Sequence, residues 1–364
     1  MILEEKPGMD LTYAYANARI KAMSVKLLSQ EQLRQLISVR TLNEVIELLE
    51  ESDYKDSFVD ASVKYSGFEL VLKALNLDFV RTMQKVMKIV PPVARPAMEA
   101  LLRKWEVQSI QYVLTAKALD EPIADSELIF LDPHRRRFLE QFVQAKDFSS
   151  ALHALASTEY GRIIAAAKPE YERTKKDYRV FLGAFDHYYY KLLAAELEKQ
   201  KDFNVRSLLR SEIETHNIMI VLRLKLLPAS LKEGQLAPAD VIDSFLIPGG
   251  SYSFVRELAR APDLDTAMKK VADKYKIGDA VEKAKKLKSL APVEIALERL
   301  FTEKTMLTTR RAVLSFGTVM GFVYLKQREI RSIRALAFAT QLGLGEEVKE
   351  IVFKTGALTA AQHK

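Results

Sequence analysis

One helical motif recurs three times along the chain, and this recurrence constrains the fold more than any other feature. A glutamate is followed three residues later by serine or asparagine and then by isoleucine; lysine or threonine lies seven residues beyond the isoleucine, and leucine two beyond that. The copies begin at Glu106, Glu214 and Glu329, and a degenerate copy begins at Tyr15. TPR and HEAT solenoids repeat every ~34 and ~40–47 residues. The much longer period here predicts a few large helical units and not a solenoid.

A second pattern follows each of the first three copies, the degenerate one included, and it ends on a tyrosine. Its copies run from Leu36 to Asp53-Tyr54, from Phe142 to Glu159-Tyr160, and, one residue shorter, from Leu258 to Lys274-Tyr275. Two motifs that repeat in the same order predict three related helical units that pack side by side and share a core.

The apolar spacing between these motifs is helical. It predicts a helical pair from Ser29 to Glu51 that breaks near Thr41, and a helix from Phe68 to Val90 that Pro91-Pro92 ends. After Pro169, the spacing from Tyr171 onwards predicts a single rod of roughly 30 residues, about 45 Å long. Its tyrosines (Tyr178, Tyr188, Tyr189 and Tyr190) are interpreted as core and rim residues in preference to a stacking platform.

Composition supports an all-α fold. The 364 residues include only 13 glycines and 12 prolines, whereas sandwiches and barrels of short strands need frequent turn residues. The longest uncharged apolar stretch runs from Ala312 to Leu325, which is too short to span a bilayer and predicts a buried helix. The first residues lack an apolar signal-peptide region, so we expect an intracellular chain.

The sequence offers little chemistry. It has no cysteine, none of its glycines precedes a lysine, and Gly343 and Gly345 are better explained as a helix cap than as a nucleotide loop. The five histidines (His134, His153, His187, His216 and His363) lack the spacing of a helical zinc site. We therefore predict no catalytic residue, no cofactor and no metal site, although a hydrolase on a helical bundle stays open as an alternative.

The positive charge is concentrated in one region. The net charge is +7, and residues Val281 to Arg334 hold 12 basic against 5 acidic side chains. Such a region suits nucleic acid, an anionic membrane surface or an acidic protein partner, or is simply a solvated face. The run His134-Arg135-Arg136-Arg137 is a second basic cluster. The residues that we single out as candidates for facing a partner are Lys283, Lys285, Lys286, Lys288, Arg310 and Arg311.

The opening of the chain carries a resemblance. The segment from Tyr13 to Met23 (YAYANARIKAM), followed by Lys26-Leu27-Leu28, resembles the start of the C-subunit family of archaeal and bacterial V/A-type ATP synthases. That family is similar to the d subunit of the eukaryotic vacuolar proton pump. The similarity extends over essentially the whole chain, including the segment that ends at Glu51-Ser52-Asp53-Tyr54 and the triplicated layout.

The resemblance implies a funnel-shaped, all-α protein of three similar units around a pseudo-threefold axis. It implies a non-catalytic central-stalk protein of the rotor, a socket that couples the shaft to the proteolipid ring and transmits torque, on the cytoplasmic side of the membrane. Its expected partners are shaft subunits and the ring, with no nucleic acid. We place the units at 1–100, 101–207 and 208–364, the last with the closing C-terminal helices. A helical scaffold that binds nucleic acid is the alternative function.

Overall fold

The protein is all-helical in a computed structural model that describes residues 11–131, 139–200, 202–226, 242, 245–312, 314–346 and 348–349. Within these ranges there is no β-strand, so the predicted all-α class is confirmed. The first helices are α1 (Ala14–Ser24), α2 (Gln30–Ser38), α3 (Leu42–Glu50), α4 (Lys55–Ser62), α5 (Gly67–Ile89), α6 (Arg95–Leu119), α7 (Phe148–Ala156) and α8 (Gly161–Arg173). They are followed by α9 (Arg179–Lys199), α10 (Phe203–Leu226), α11 (Tyr252–Ala259), α12 (Leu264–Tyr275), α13 (Gly278–Leu287), α14 (Ala291–Arg311) and α15 (Phe316–Gln341).

Side-chain caps start one short helix at the same point of the second pattern in each copy. Thr41, Asp147 and Asp263 accept hydrogen bonds from the backbone N–H groups three residues further on, at the starts of α3, α7 and α12. A side-chain acceptor satisfies one of the free N–H groups at a helix start. The predicted break near Thr41 is therefore confirmed, as is the end of α5 before Pro91.

Six long helices of the described ranges form three consecutive pairs, α5 with α6, α9 with α10, and α14 with α15. The turns inside these pairs lie together. The Gln200 side chain donates a hydrogen bond to the Val93 carbonyl at 3.3 Å, and the Gly317 N–H donates to Asp202 at 3.3 Å. We call the region formed by the described residues of these three turns (90–94, 200, 202, 312, 314 and 315) the hairpin end of the molecule.

The predicted rod after Pro169 is wrong. Pro169 lies inside α8, and the chain turns after Arg173 before α9 begins. Lys175 and Lys176 have left-handed backbone angles (φ 55° and 65°), which interrupt the helical path. The rings of Tyr171 and Phe181, one on each side of the turn, lie 4.9 Å apart. The apolar spacing is therefore real, but it belongs to two helices whose faces pack on each other.

Among the described residues, the core divides into two large clusters of buried apolar side chains and a small third one around Ala335 and Ala339. The larger cluster draws on α1 to α9, the first half of α10 and α15, and the second on the end of α10 and on α11 to α14. Tyr189 and Tyr190 are buried in the larger cluster, which confirms their interpretation as core residues. Although it is the last of the helices named above, α15 packs against α5, α1, α3 and α2 as well as α14 and α10.

The apolar stretch Ala312–Leu325 is largely a buried helix, as predicted. Helix α15 begins at Phe316, and every residue from Phe316 to Tyr324 is buried. Gly343 follows the end of α15 with φ 67°, and its N–H donates to the Thr340 carbonyl, which confirms the predicted cap. In the part of the chain that the structure describes, no helix has the length and apolarity needed to cross a bilayer.

Candidate docking surfaces

The two repeated sequence patterns meet through one hydrogen bond in each copy. The Tyr54 hydroxyl donates to Glu329 at 2.5 Å, the Tyr275 hydroxyl donates to Glu214 at 2.5 Å, and the Tyr160 hydroxyl donates to Glu106. Each glutamate lies on the second helix of a long pair, whereas Tyr54 and Tyr160 directly precede short helices and Tyr275 ends one. The recurrence in the sequence therefore corresponds to a recurring contact between a long helix and the short helices packed on it.

The serine or asparagine of the motif fixes an extended segment in two of the copies. The Ser109 hydroxyl accepts from the Ile129 N–H at 3.0 Å and donates to the Ile129 carbonyl at 3.2 Å. The Asn217 amide makes the same pair of bonds with the backbone of Ile247, at 2.9 and 2.8 Å. Both polar positions of the motif thus satisfy buried groups, which explains why they recur with the glutamate.

The third copy joins α15 to segments from the first hundred residues of the chain. Glu329 on α15 accepts from Tyr54 and from the Leu28 N–H, and Lys326 forms ion pairs with Glu329 and Asp78 at 3.0 and 2.9 Å. Burial, followed by the charges of Glu329 and Asp78, raises the pKa of Tyr54 well above its ordinary value. We call Tyr54, Asp78, Lys326 and Glu329, together with the Leu28 N–H, the closure network.

Part of the positive charge in the basic region from Val281 to Arg334 is used inside the fold. Its charges do not all face partners, because Lys326 is buried in the closure network and Arg334 donates to Glu127 and to Asn76. Arg331 forms an ion pair with Glu298 at 2.7 Å. Ion pairs inside the fold therefore use a share of the charge surplus that the sequence indicated.

A cleft of about 290 Å³ lies between α6, α9, α10, α14 and α15. Its floor is a charged pair, in which Lys104 donates to Glu212 at 2.6 Å. The Tyr324 hydroxyl also donates to Glu212, and burial together with the Glu212 charge raises the pKa of Tyr324 well above its ordinary value. Glu212 is nine residues into α10, which places the floor about 14 Å from the hairpin end.

The part of the cleft around Arg223 and Glu294 is more open to solvent than its floor. Arg223 and Glu294 pair at 2.7 Å with side-chain exposures of 57% and 26%, compared with 17% and 8% for Lys104 and Glu212. Arg223 is 20 residues into α10, about 30 Å from the hairpin end. The cleft therefore opens away from the hairpin end, and Arg223, Glu294, Glu298 and Arg331 surround this opening, which we call the cleft mouth.

The hairpin end presents apolar side chains to solvent. Val93 is 62% exposed and Phe203 71% exposed, and Leu307 on the last turns of α14 is also exposed. Arg310 and Arg311, two of the predicted partner-facing residues, are exposed at the end of the same helix. This surface thus combines apolar side chains with positive charge.

The other four predicted residues lie elsewhere. Lys283, Lys285, Lys286 and Lys288 are all exposed, on α13 and just after it. Only three residues separate α13 from the start of α14, so these lysines lie at the same end of α14 as the cleft mouth. Arg310 and Arg311 lie at the other end of α14. A helix of 21 residues is about 30 Å long. The structure therefore divides the six candidates between two opposite ends.

The histidines offer no metal site in the described residues. Both ring nitrogens of His187 lie within 3.0 Å of backbone carbonyls, of Gly183 and Leu246, and no group of three or more histidine and acidic side chains there is arranged to hold a metal ion. The basic run His134-Arg135-Arg136-Arg137 and His363 lie outside the described residues.

Sequence reasoning did not identify the cleft residues. The long helices α6, α10 and α15 carry Lys104, Glu212, Arg223 and Arg331, and none of the sequence patterns singles these residues out. The sequence does offer one signal for such residues, namely a charged residue on the apolar face of a helix. Glu212, which lies between Leu209 and Ile213 on that face, is an example.

Comparison with known proteins identifies the family of the chain. The model of the family described as ATP synthase (C/AC39) subunit matches residues 16–350. The A-type ATP synthase C subunit of Thermococcus onnurineus (strain NA1) is 31% identical over 353 residues, with 93% of this chain and 90% of that protein covered. The proteins of the same name from Desulfurococcus sp. (strain SY) and Thermoplasma acidophilum are 31% and 23% identical, over 93% and 95% of this chain and 90% and 99% of their own lengths. The family model covers more than half of the chain, so the chain belongs to the C/AC39 family of V/A-type ATP synthase subunits.

Proposed function

We propose that this ATP synthase subunit is the non-catalytic rotor socket that couples the central shaft to the proteolipid ring and transmits torque between them. One observation carries the proposal: the charged cleft opens at one end of the long helices, and the exposed apolar and basic surface lies at the other. A coupling protein needs two separate docking surfaces, and close-packed helices between them resist shear.

In this proposal the shaft enters the cleft mouth and the hairpin end faces the ring. Charges around a docking site set register and association rate, which suits the ion pairs around the mouth and the four lysines on α13. The exposed Phe203, Val93 and Leu307, with Arg310 and Arg311, suit the polar loops and rim of a membrane-embedded ring. The protein would then lie peripherally, on the cytoplasmic side of the membrane.

We also propose three related helical units around a funnel, with borders near residues 100 and 207. The triplicated Glu–Tyr hydrogen bonds support three related units. The contacts of α15 support a refinement, in which this helix completes the first unit and α10 to α14 form the third around their own core.

Two sets of charge reversals test the assignment of the ends. Lys283, Lys285, Lys286 and Lys288, each changed to Glu, should weaken binding of the purified shaft subunits, more strongly at low salt, and leave ring binding intact. The double change Arg310→Glu and Arg311→Glu should weaken ring binding and leave shaft binding intact. If the native wild-type protein co-purifies with neither the shaft nor the ring, the proposed function is wrong. If the lysine variant loses ring binding and the arginine variant loses shaft binding, the assignment of the ends is wrong.

The nucleic-acid alternative gains little from the structure. The Lys285 ammonium lies 3.9 Å from Asp265 and 3.6 Å from Glu282, and both carboxylates are exposed, so this surface mixes both signs of charge. Tight binding to bulk DNA or RNA that falls steeply with salt would nevertheless favour that alternative.

A further inference from the structure

The charged groups of the cleft pair with one another, with one exception among the described residues. Lys104 pairs with Glu212, Arg223 with Glu294, and Arg331 with Glu298, at 2.6 to 2.7 Å. The remaining acid, Asp186, accepts from Gln111 at 2.8 Å and lies 3.4 Å from a ring nitrogen of His216. The exception is Arg328, which lines the same cleft from α15.

Within the part of the chain that the structure describes, Arg328 has neither a hydrogen bond nor an ion pair, and it is half-buried. Burial and then the neighbouring Arg331 lower the pKa of the Arg328 guanidinium, and the opposing influence of Glu298 and Glu303 is smaller. Glu298 already pairs with Arg331, and Glu303 lies 3.7 Å from Arg299. A half-buried cation without a partner is unfavourable, so the isolated protein holds a charge that an external anion would stabilise.

We propose that Arg328 anchors the shaft by pairing with an aspartate or glutamate carboxylate on the helix that enters the cleft. This inference rests on the proposed function and adds to it the residue and the chemistry of the contact. The planar guanidinium matches a carboxylate with two parallel hydrogen bonds, which fixes orientation as well as position. Orientation matters in a joint that transmits torque, because a single point contact would let the two parts rotate.

The test uses Arg328→Gln in the full chain, with Arg299→Gln as the matched control. Arg299 carries the same charge on the neighbouring helix α14, but it is exposed and its ion pair is with Glu303 at 3.7 Å. With the purified shaft subunits as the probe, Arg328→Gln should weaken binding roughly 10- to 100-fold, as expected for loss of a charged hydrogen-bonded pair. Arg299→Gln should leave the dissociation constant within about twofold, as expected for a surface ion pair.

A second measurement separates anchoring from a structural role. In the isolated protein, Arg328→Gln should keep or raise the melting temperature, because it removes an unpaired half-buried charge. Arg331→Gln should lower the melting temperature, because it leaves Glu298 without its partner. A fall with Arg328→Gln as large as that with Arg331→Gln would overturn the proposal.

Three further outcomes of the binding experiment can be told apart by what each of them contradicts. Failure of the wild-type protein to bind the shaft would overturn the proposed function, and the inference with it. Equal shaft binding by wild type and Arg328→Gln would overturn this inference alone. If sulfate stabilises the wild type but not Arg328→Gln, while shaft binding is unchanged, the site takes a small anion and the proposal is wrong.

Discussion

At the scale of single residues, the three tyrosines of the repeated contact differ in what surrounds them. Tyr54 and Tyr160 are buried, whereas Tyr275 is half-buried. The Tyr54 hydroxyl also accepts a hydrogen bond from Lys326 at 2.8 Å, whereas the Tyr160 hydroxyl lies 3.5 Å from a guanidinium nitrogen of Arg103. The same motif therefore has a different energetic weight in each copy.

Removal of the Tyr160 hydroxyl should destabilise the protein. Tyr160→Phe removes the hydrogen bond that the Tyr160 hydroxyl donates to the buried Glu106 carboxylate, which keeps its contact with Arg103, and a hydrogen bond to a charged group contributes about 1.5–3 kcal/mol. The free energy of unfolding from urea titration measures the loss, with Tyr15→Phe as the control because Tyr15 is exposed. Equal stability of the two variants would show that the repeated hydrogen bond is not a source of stability.

Glu214 should make part of the stability depend on acid pH. Burial opposes its ionisation, but hydrogen bonds from Lys274, Tyr275 and Ser251 outweigh burial and lower the pKa of Glu214. A carboxyl whose folded-state pKa is lowered stabilises the fold above its unfolded pKa and loses this contribution as the pH falls below about 4.3. Wild type should therefore lose more stability than Glu214→Gln between neutral and acid pH, measured by urea unfolding. Parallel losses would contradict the assignment.

Charge type alone did not reveal which basic residues are internal. Lys326 and Lys286 look alike in the sequence, since both are lysines in predicted helices of the basic region. One is buried against Asp78 and Glu329 and the other is exposed. The difference depends on Asp78, which lies almost 250 residues away in the sequence, and local patterns carry no information about such a partner.

At the scale of elements, the sequence predicted helices well where a cap or proline marks an end. Thr41 and Pro91 are such signals, and the structure places breaks there. The turn after α8 has neither glycine nor a following proline, and two lysines adopt the left-handed backbone angles instead. Lysine has no special preference for that conformation, so periodicity across the turn predicted one helix where there are two.

The contact between α14 and α15 should not tolerate a methyl group at Gly321. A Cβ atom added to Gly321 would collide with the side chain of Thr309 on the facing helix. Gly321→Ala should therefore separate the two helices and lower the free energy of unfolding by about 1–3 kcal/mol, the usual cost of overpacking.

Gly278→Ala is the matched control for that change. Nothing lies within 4 Å of a Cβ atom at Gly278, which opens α13. Alanine favours a helix more than glycine by up to about 1 kcal/mol, so this variant should be neutral or more stable in the same urea titration. Loss of stability in the control but not in Gly321→Ala would contradict the packing argument.

At the scale of the whole molecule, α15 and the segment after it close onto the first helices of the chain. The Leu28 N–H and the Tyr54 hydroxyl both donate to Glu329, and the Lys349 ammonium donates to the Val39 carbonyl at 2.5 Å. The sequence indicated three copies of each motif, but it did not indicate that the third glutamate pairs with the first tyrosine. Motif order along a chain does not fix which copies meet in space, and only the packing of α15 on α5 does so.

Loss of the Glu329 carboxylate should therefore loosen helices that lie far away in sequence. In Glu329→Gln, Tyr54 and the Leu28 N–H lose a charged acceptor and Lys326 loses one of its two acidic partners. Helices α2 to α4 are held to α15 through these bonds, so their amide hydrogens should exchange faster, while exchange in α11 to α13 stays unchanged. Hydrogen exchange with mass spectrometry measures both regions in one experiment.

The matched variant Glu214→Gln should give the opposite pattern, with faster exchange in α12 and α13, because Glu214 holds Tyr275 and Lys274. If Glu329→Gln changes exchange only within α15, the closure network does not hold the N-terminal helices. If both variants change the whole molecule alike, the protein opens as one cooperative unit and the three copies are not separable in stability.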